Sequence, residues 1–212
     1  MRRISVGMAG MIMLAASAQA ALFGFTRITN NASEDLSGQL LVDVTDAGSS
    51  GGFNLVNFRF TNDVGIASSI TDVYWDDGTL LAIGTPAGSS GVSFDSPATP
   101  SNLPGANNVN PAFVTTEHFS ADSDSPITEN GVNSASEYLD VVFTLQAGLG
   151  FADTIADIND GSLRMGMHVQ AIGAQGESDG YVNNPQPVPA PGAAILATMG
   201  LAIVSAVRRR MA

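Results

Sequence analysis

The chain has 212 residues, of which 44% are hydrophobic, and a formal net charge of −12. It contains no Cys, which excludes disulfides, Cys-based zinc sites, iron–sulfur clusters and a Cys nucleophile. All eight basic residues are Arg, and five of them sit in apolar terminal segments; the three that remain face all 20 acids, leaving the middle of the chain at −17. Such a body repels nucleic acid, whose binding runs on basic side chains neutralising phosphate, so no nucleic-acid partner is expected.

Residues 1–20 come first. Met1-Arg2-Arg3 is a short positive start, residues 4–16 are an apolar run, and Ser17-Ala18-Gln19-Ala20 supplies small residues at the −3 and −1 positions of a cleavage site. This is the pattern of a secretory signal helix removed after Ala20, so that Ala21 begins the mature chain. The secretion translocon and signal peptidase are the partners it implies.

Residues 21–181 read as one domain. From Gly38 onward, short β-rich runs alternate with clusters of Gly, Asn, Ser, Asp and Pro: 39–44, 53–60, 70–74, 79–83, 92–94, 113–119, 138–145 and 163–172. Phe58 and Phe60 share a face with Asn57 and Arg59 on the other. Leu163, Met165, Met167 and Val169 alternate with Arg164, Gly166, His168 and Gln170. Both are the period-2 signature of a half-buried strand. Residues 151–158 carry apolar side chains at 151, 155 and 158 and predict a short helix. Residues 96–111, rich in Pro, Asn and Gly, predict a long surface loop. The pattern predicts an all-β fold, an antiparallel β-sandwich of jelly-roll-like type.

Residues 182–191 form a Pro-rich spacer that resists sheet pairing, and residues 192–207 are an uncharged, mostly apolar run predicted as a hydrophobic helix. As a helix it reaches about 24 Å, against about 30 Å of hydrocarbon in a bilayer. Arg208, Arg209 and Arg210 follow, and a basic cluster there stays on the cytoplasmic side, placing the β body outside. A proline motif, a short apolar helix and an Arg cluster, in that order, resemble the PEP-CTERM sorting domain. Val188-Pro189-Ala190-Pro191 lies where the family has V-P-E-P, with Ala190 in place of Glu. The resemblance covers about the last 25 residues and implies recognition by an exosortase, with delivery from an inner-membrane intermediate to the cell surface or matrix of a Gram-negative bacterium.

Candidate chemistry in the body is sparse. Gly176-Glu177-Ser178-Asp179-Gly180 matches G-x-S-x-G, but the Pro-rich spacer follows it and no His lies downstream, so it reads as a turn. His118 and His168 are the only imidazoles and lack metal-ligand spacing. Asp76, Asp77, Asp122 and Asp124 are loop carboxylates of the type that ligate Ca²⁺, but they do not fit a twelve-residue EF-hand loop. They read as solvated acids, no cofactor is expected, and Ca²⁺ is the alternative. Trp75 reads as a core aromatic, with a sugar-stacking platform as the alternative. A glycosidase carboxylate pair is defined by separation in space, which spacing along the chain does not reveal.

The expectation is therefore a non-enzymatic surface or extracellular-matrix protein with a structural or interaction role, in contact with extracellular polysaccharide. The alternative is a secreted carbohydrate-binding module or carbohydrate-active enzyme anchored by its C-terminal helix. N-terminal sequencing of the mature protein should return Ala21; a start at Met1 or well inside the domain would refute the signal.

Overall fold

The computed structural model describes residues 20–185 apart from Val64. Ala18 and most of the signal, the motif residues Val188, Pro189, Ala190 and Pro191, the Arg cluster 208–210 and both expected terminal helices lie outside the described residues. No described helix is long and apolar enough to cross a membrane.

Eleven strands run in chain order: β1 (Ala20–Arg27), β2 (Leu40–Ser50), β3 (Phe53–Asn62), β4 (Ser69–Asp76), β5 (Leu80–Ile83), β6 (Ala87–Gly88), β7 (Phe94–Asp95), β8 (Ser120–Ser123), β9 (Tyr138–Leu145), β10 (Arg164–Ile172) and β11 (Glu177–Asn183). Two helices, α1 (Ile127–Asn130) and α2 (Phe151–Asp160), and a 3-10 turn at Ala106–Asn108 complete the set. The strands pair antiparallel in the order β5-β9-β3-β2-β1-β11-β10-β4-β8-β7, with β6 beside β9.

This is an all-β fold, and its two layers are halves of one curled sheet. β1 is the seam. Its first residues, Ala20 to Gly24, pair with β2, while Phe25, Thr26 and Arg27 pair with β11. The halves face each other over a single core. Inward residues of β2, β3 and β9 (Val42, Val44, Phe58, Phe60, Val141, Phe143) meet Val73, Trp75, Met165 and Met167 from β4 and β10. Trp75 stands at the centre, its ring 4.8 Å from Phe143, 5.5 Å from Phe60 and 5.7 Å from Phe58. Tilted and edge-on rings at such distances are favourable beyond the area they bury. Trp75 is fully buried, so the sugar-platform alternative falls.

Several sequence expectations need correction. β1 and β11 were not anticipated, and Val182 and Asn183, assigned to the spacer, pair with Thr26 and Phe25. The segment 113–119 is not a strand; Phe113 leaves the sheet plane to pack on its outer face, and β8 begins only at Ser120. The loop 96–111 does not simply lie on the surface. Ala98, Leu103 and Ala106 bury themselves, with Phe113, against Tyr74 and Val182 and roof the half built from β11, β10 and β4. That close approach demands glycine on the strands below. A Cβ on Gly180 would collide with the carbonyl of Pro104, and one on Gly166 would sit 2.7 Å from a Leu103 methyl.

The chain ends leave together. β1 and β11 are antiparallel, and Asn184 N–H donates to the carbonyl of Gly24 (2.8 Å), so the start of β1 and the end of β11 lie at one end of the body. The other end is closed by Asp179, whose side chain is fully buried. Its carboxylate accepts from the Thr29 hydroxyl and from the N–H groups of Asn31 (2.8 Å) and Ala32 (3.1 Å), and the Arg27 guanidinium stands 3.5 Å away. Removing one partner of a buried ion pair costs about 3–5 kcal/mol. Asp179→Ala should lose stability of that order in urea denaturation, and a loss below about 1 kcal/mol, the worth of one ordinary hydrogen bond, would show that the clamp does not hold the loop.

Candidate functional site

The site grows from strand register. The alternation of β10 turns Met165, Met167 and Val169 into the core and leaves His168 and Gln170 on the outer face. His168 lies opposite Asp72 of β4, and Asp72 lies opposite Asp122 of β8. One imidazole and two carboxylates thus sit on adjacent strands, which run about 4.8 Å apart. The register then slips: His168 faces Asp72 while Val169 faces Ile70, so Thr71 is the extra residue of a β-bulge. Such a bulge re-aims side chains, and here Thr71 and Asp72 both line the same pocket. A second irregularity follows on β10, where Ala171 adopts the left-handed region (φ 53°) just after Gln170. Thr99, Pro100 and Pro104 of the roofing loop, with Ile127 of α1, enclose a cavity of about 130 Å³.

A directed hydrogen-bond network fills its floor. Gln170 donates from Nε2 to the Thr71 hydroxyl (3.0 Å), which donates to Asp72 Oδ2 (2.8 Å). Tyr74 donates its hydroxyl to Asp72 Oδ1 (3.2 Å). His168 Nδ1 lies 3.0 Å from Asp72 Oδ2. Facing a carboxylate oxygen, Nδ1 is the donor, and in the tautomer that this contact selects Nε2 is the acceptor. Among the described residues Nε2 has no hydrogen-bond partner, and it is not sealed from solvent. Burial pushes the Tyr74 phenol far above its ordinary pKa, and the Asp72 charge adds to this, so Tyr74 is a fixed donor. Asp122 is also pushed up, first by burial and then by the charge of Asp72; the Thr99 N–H that it accepts (3.1 Å) opposes the shift without cancelling it. The floor is an imidazole held in orientation by one carboxylate, beside a second carboxylate that no described arginine reaches.

The structure scatters most of the sequence candidates. Of the four Asp singled out, only Asp122 reaches the pocket. Asp76 is spent on the Arg164 guanidinium and accepts from the Val114 N–H (3.3 Å). Asp77 sits exposed in a left-handed turn (φ 53°) whose N–H donates to the Thr116 hydroxyl. Asp124 accepts from the Ser93 hydroxyl. Among the described residues no three His, Asp or Glu side chains gather as a metal-holding group. His118 does not lie on a strand; it is exposed, in the left-handed region (φ 68°) beside Glu117, and does not meet His168. In the G-x-S-x-G segment only Gly176 belongs to a turn, and Ser178 lies in β11 with no His beside it, so no nucleophile elbow forms. Asp72 was missed, although a Thr-Asp pair inside the apolar run 70–74 was its visible signal. No family model matches the chain, and no curated protein or solved structure matches it.

Asp122 has a measurable signature. Because its folded pKa is raised, the folded state holds the proton more tightly than the unfolded chain, whose Asp titrates near about 3.9. The favourable contribution is complete below that unfolded value and is lost as pH rises through the folded one. Asp122→Asn should therefore melt a few degrees above the wild type at pH 7, and the gap should close as pH falls towards 4. A gap independent of pH would show that Asp122 carries no desolvation penalty.

Proposed function

We propose that this is an exported protein whose β body is displayed at the cell surface or in the extracellular matrix by a PEP-CTERM-like tail, with an exosortase as the processing partner. The observation that carries the reading is the order of Val188-Pro189-Ala190-Pro191, the apolar run and Arg208–Arg210, opposite a signal ending in Ala18-Gln19-Ala20. The geometry of the body supports it. Both ends of the described chain leave from one end of the sheet, where Asn184 meets Gly24, so a signal and a tail can address one membrane without threading past the body. His168 and Gln170 lie further along β10 than Arg164, which is at that end, so the pocket stands on the half of the sheet away from the membrane. In this reading the body is a sandwich-type, jelly-roll-like module without catalytic activity, and the pocket is its interaction site.

A carbohydrate-binding module or carbohydrate-active enzyme on the same anchor is the second reading. The half-open cavity with Asp72, Asp122 and His168 is the observation that favours it, since a sugar needs hydrogen-bond acceptors inside a shaped recess. Deleting residues 188–212 should release a folded body into the medium with its melting temperature unchanged, while the full chain stays with the cell. Continued retention of the truncated chain would refute tail-dependent sorting, and failure of that chain to fold would place the tail in the core.

A further inference from the structure

The cavity on the outer face of β4, β8 and β10 has an unusual inventory. Its unused hydrogen-bonding capacity is mainly of acceptors: His168 Nε2, the Asp122 oxygen not taken by Thr99 N–H, and the Gln170 side-chain oxygen have no partner among the described residues. Most donors nearby are committed, the exceptions being the Thr99 hydroxyl and the second hydrogen of Gln170 Nε2. Gln170 Nε2 and the hydroxyls of Thr71 and Tyr74 serve the Asp72 network, and the Ser123 hydroxyl donates to the Ile127 carbonyl (2.7 Å). A ligand that satisfies these acceptors brings donors, and the charge of the floor decides which kind.

Charge narrows the class further. The three described arginines are each held by an Asp: Arg27 by Asp179, Arg59 by Asp140 and Arg164 by Asp76. None is left to neutralise the Asp72 and Asp122 pair. A neutral polyol would leave Asp122 without a counter-charge, whereas an ammonium group supplies three donors and a positive charge together. The walls suit an alkyl stem. Pro100, Pro104 and the exposed side chain of Ile127 form an apolar collar around the acidic floor, the arrangement in which a lysine buries its methylenes while its head reaches polar partners. A cavity of about 130 Å³ admits a side-chain terminus, and cannot take a folded segment.

We propose that this pocket binds the primary ammonium of a lysine side chain presented by a partner protein, with His168 Nε2, Asp122 and Gln170 as its acceptors. The inference rests on reading the pocket as the interaction site of the body. The sequence has no Lys, so the occupant is not a lysine of a second copy of this chain.

The test is NMR titration of the mature full chain in a non-ionic detergent with Nα-acetyl-lysine methylamide. Parallel titrations use the uncharged norleucine analogue, glucose and Ca²⁺ alone, all at matched ionic strength. The lysine probe should saturably shift the His168 imidazole and the Thr99 and Gln170 amide signals, and the other three should not. Asp122→Asn, whose amide oxygen can still accept from Thr99 N–H, should bind at least tenfold more weakly, and Asp160→Asn on α2 should bind like the wild type. Equal shifts from norleucine, occupation by glucose or Ca²⁺, or undiminished binding by Asp122→Asn would overturn the proposal. So would wild-type shifts spread equally over distant acids such as Asp46 and Asp153, which requires no variant to fold. None of these outcomes bears on tail processing, which the mass of the mature protein reads separately.

Discussion

The rest of the structure depends on β1 belonging to both halves of the sheet. Its first five residues extend the β2 side, and its last three are zipped to β11, so the bend between the layers is made inside one strand. The partners come from opposite ends of the sequence, with Arg27 facing Tyr181. The curl therefore cannot close until nearly the whole body is available. Such non-local pairing is entropically the last and slowest kind to form, because loop closure precedes the contacts that reward it.

Charge is the second constraint, and the few arginines are placed where a buried acid most needs one. Arg27 serves the fully buried Asp179 at the end of the body opposite the chain termini. Arg59 is bidentate to Asp140 (2.8 and 2.6 Å) and stacks 3.9 Å from the ring centre of Tyr138, on the outer face of the half that has no loop roof. There burial would raise the Asp140 carboxyl, but hydrogen bonds from Arg59 and Asn57 outweigh it and hold the carboxyl below its usual range. Asp43, across from Arg59 on β2, is still pushed up by burial; the Arg59 charge opposes the shift and the Asp140 charge adds to it. The remaining acids repel one another, and the continuous aromatic and aliphatic core around Trp75 offsets that repulsion.

Much of this was legible in the sequence, and the limits have physical causes. β3, β9 and β10 announce themselves by strict alternation, as does α2 by its apolar spacing from Phe151 to Ile158, because each buries one face and wets the other. β11 hides because both its faces are covered: the core lies on one side and the roofing loop on the other, so Gly180 stands where alternation would put a polar side chain. β1 hides for a related reason, its apolar residues following closely on the apolar run 4–16 and the small residues after it. Within the site, His168 was visible as a polar residue on a strand face, but its partners depend on the bulge at Thr71. A bulge shifts register by one residue and leaves no mark in composition.

The pocket depends on residues that never touch a ligand. Its roof can sit over β10 and β11 only because Gly166 and Gly180 lack a Cβ, and its floor can hold a buried Asp72 only because Thr71, Tyr74 and His168 all donate to it. A buried carboxylate with that many donors is well satisfied. Asp122 is not, for it has one backbone N–H and a like charge opposite. An acid left in that state weakens the folded body, and one further arginine nearby would have relieved it. The described arginines are instead engaged at three other places on the fold. The unmet demand at Asp122 is thus built into a body that has no described cation left to send there, and a positive charge that fills it has to arrive from outside.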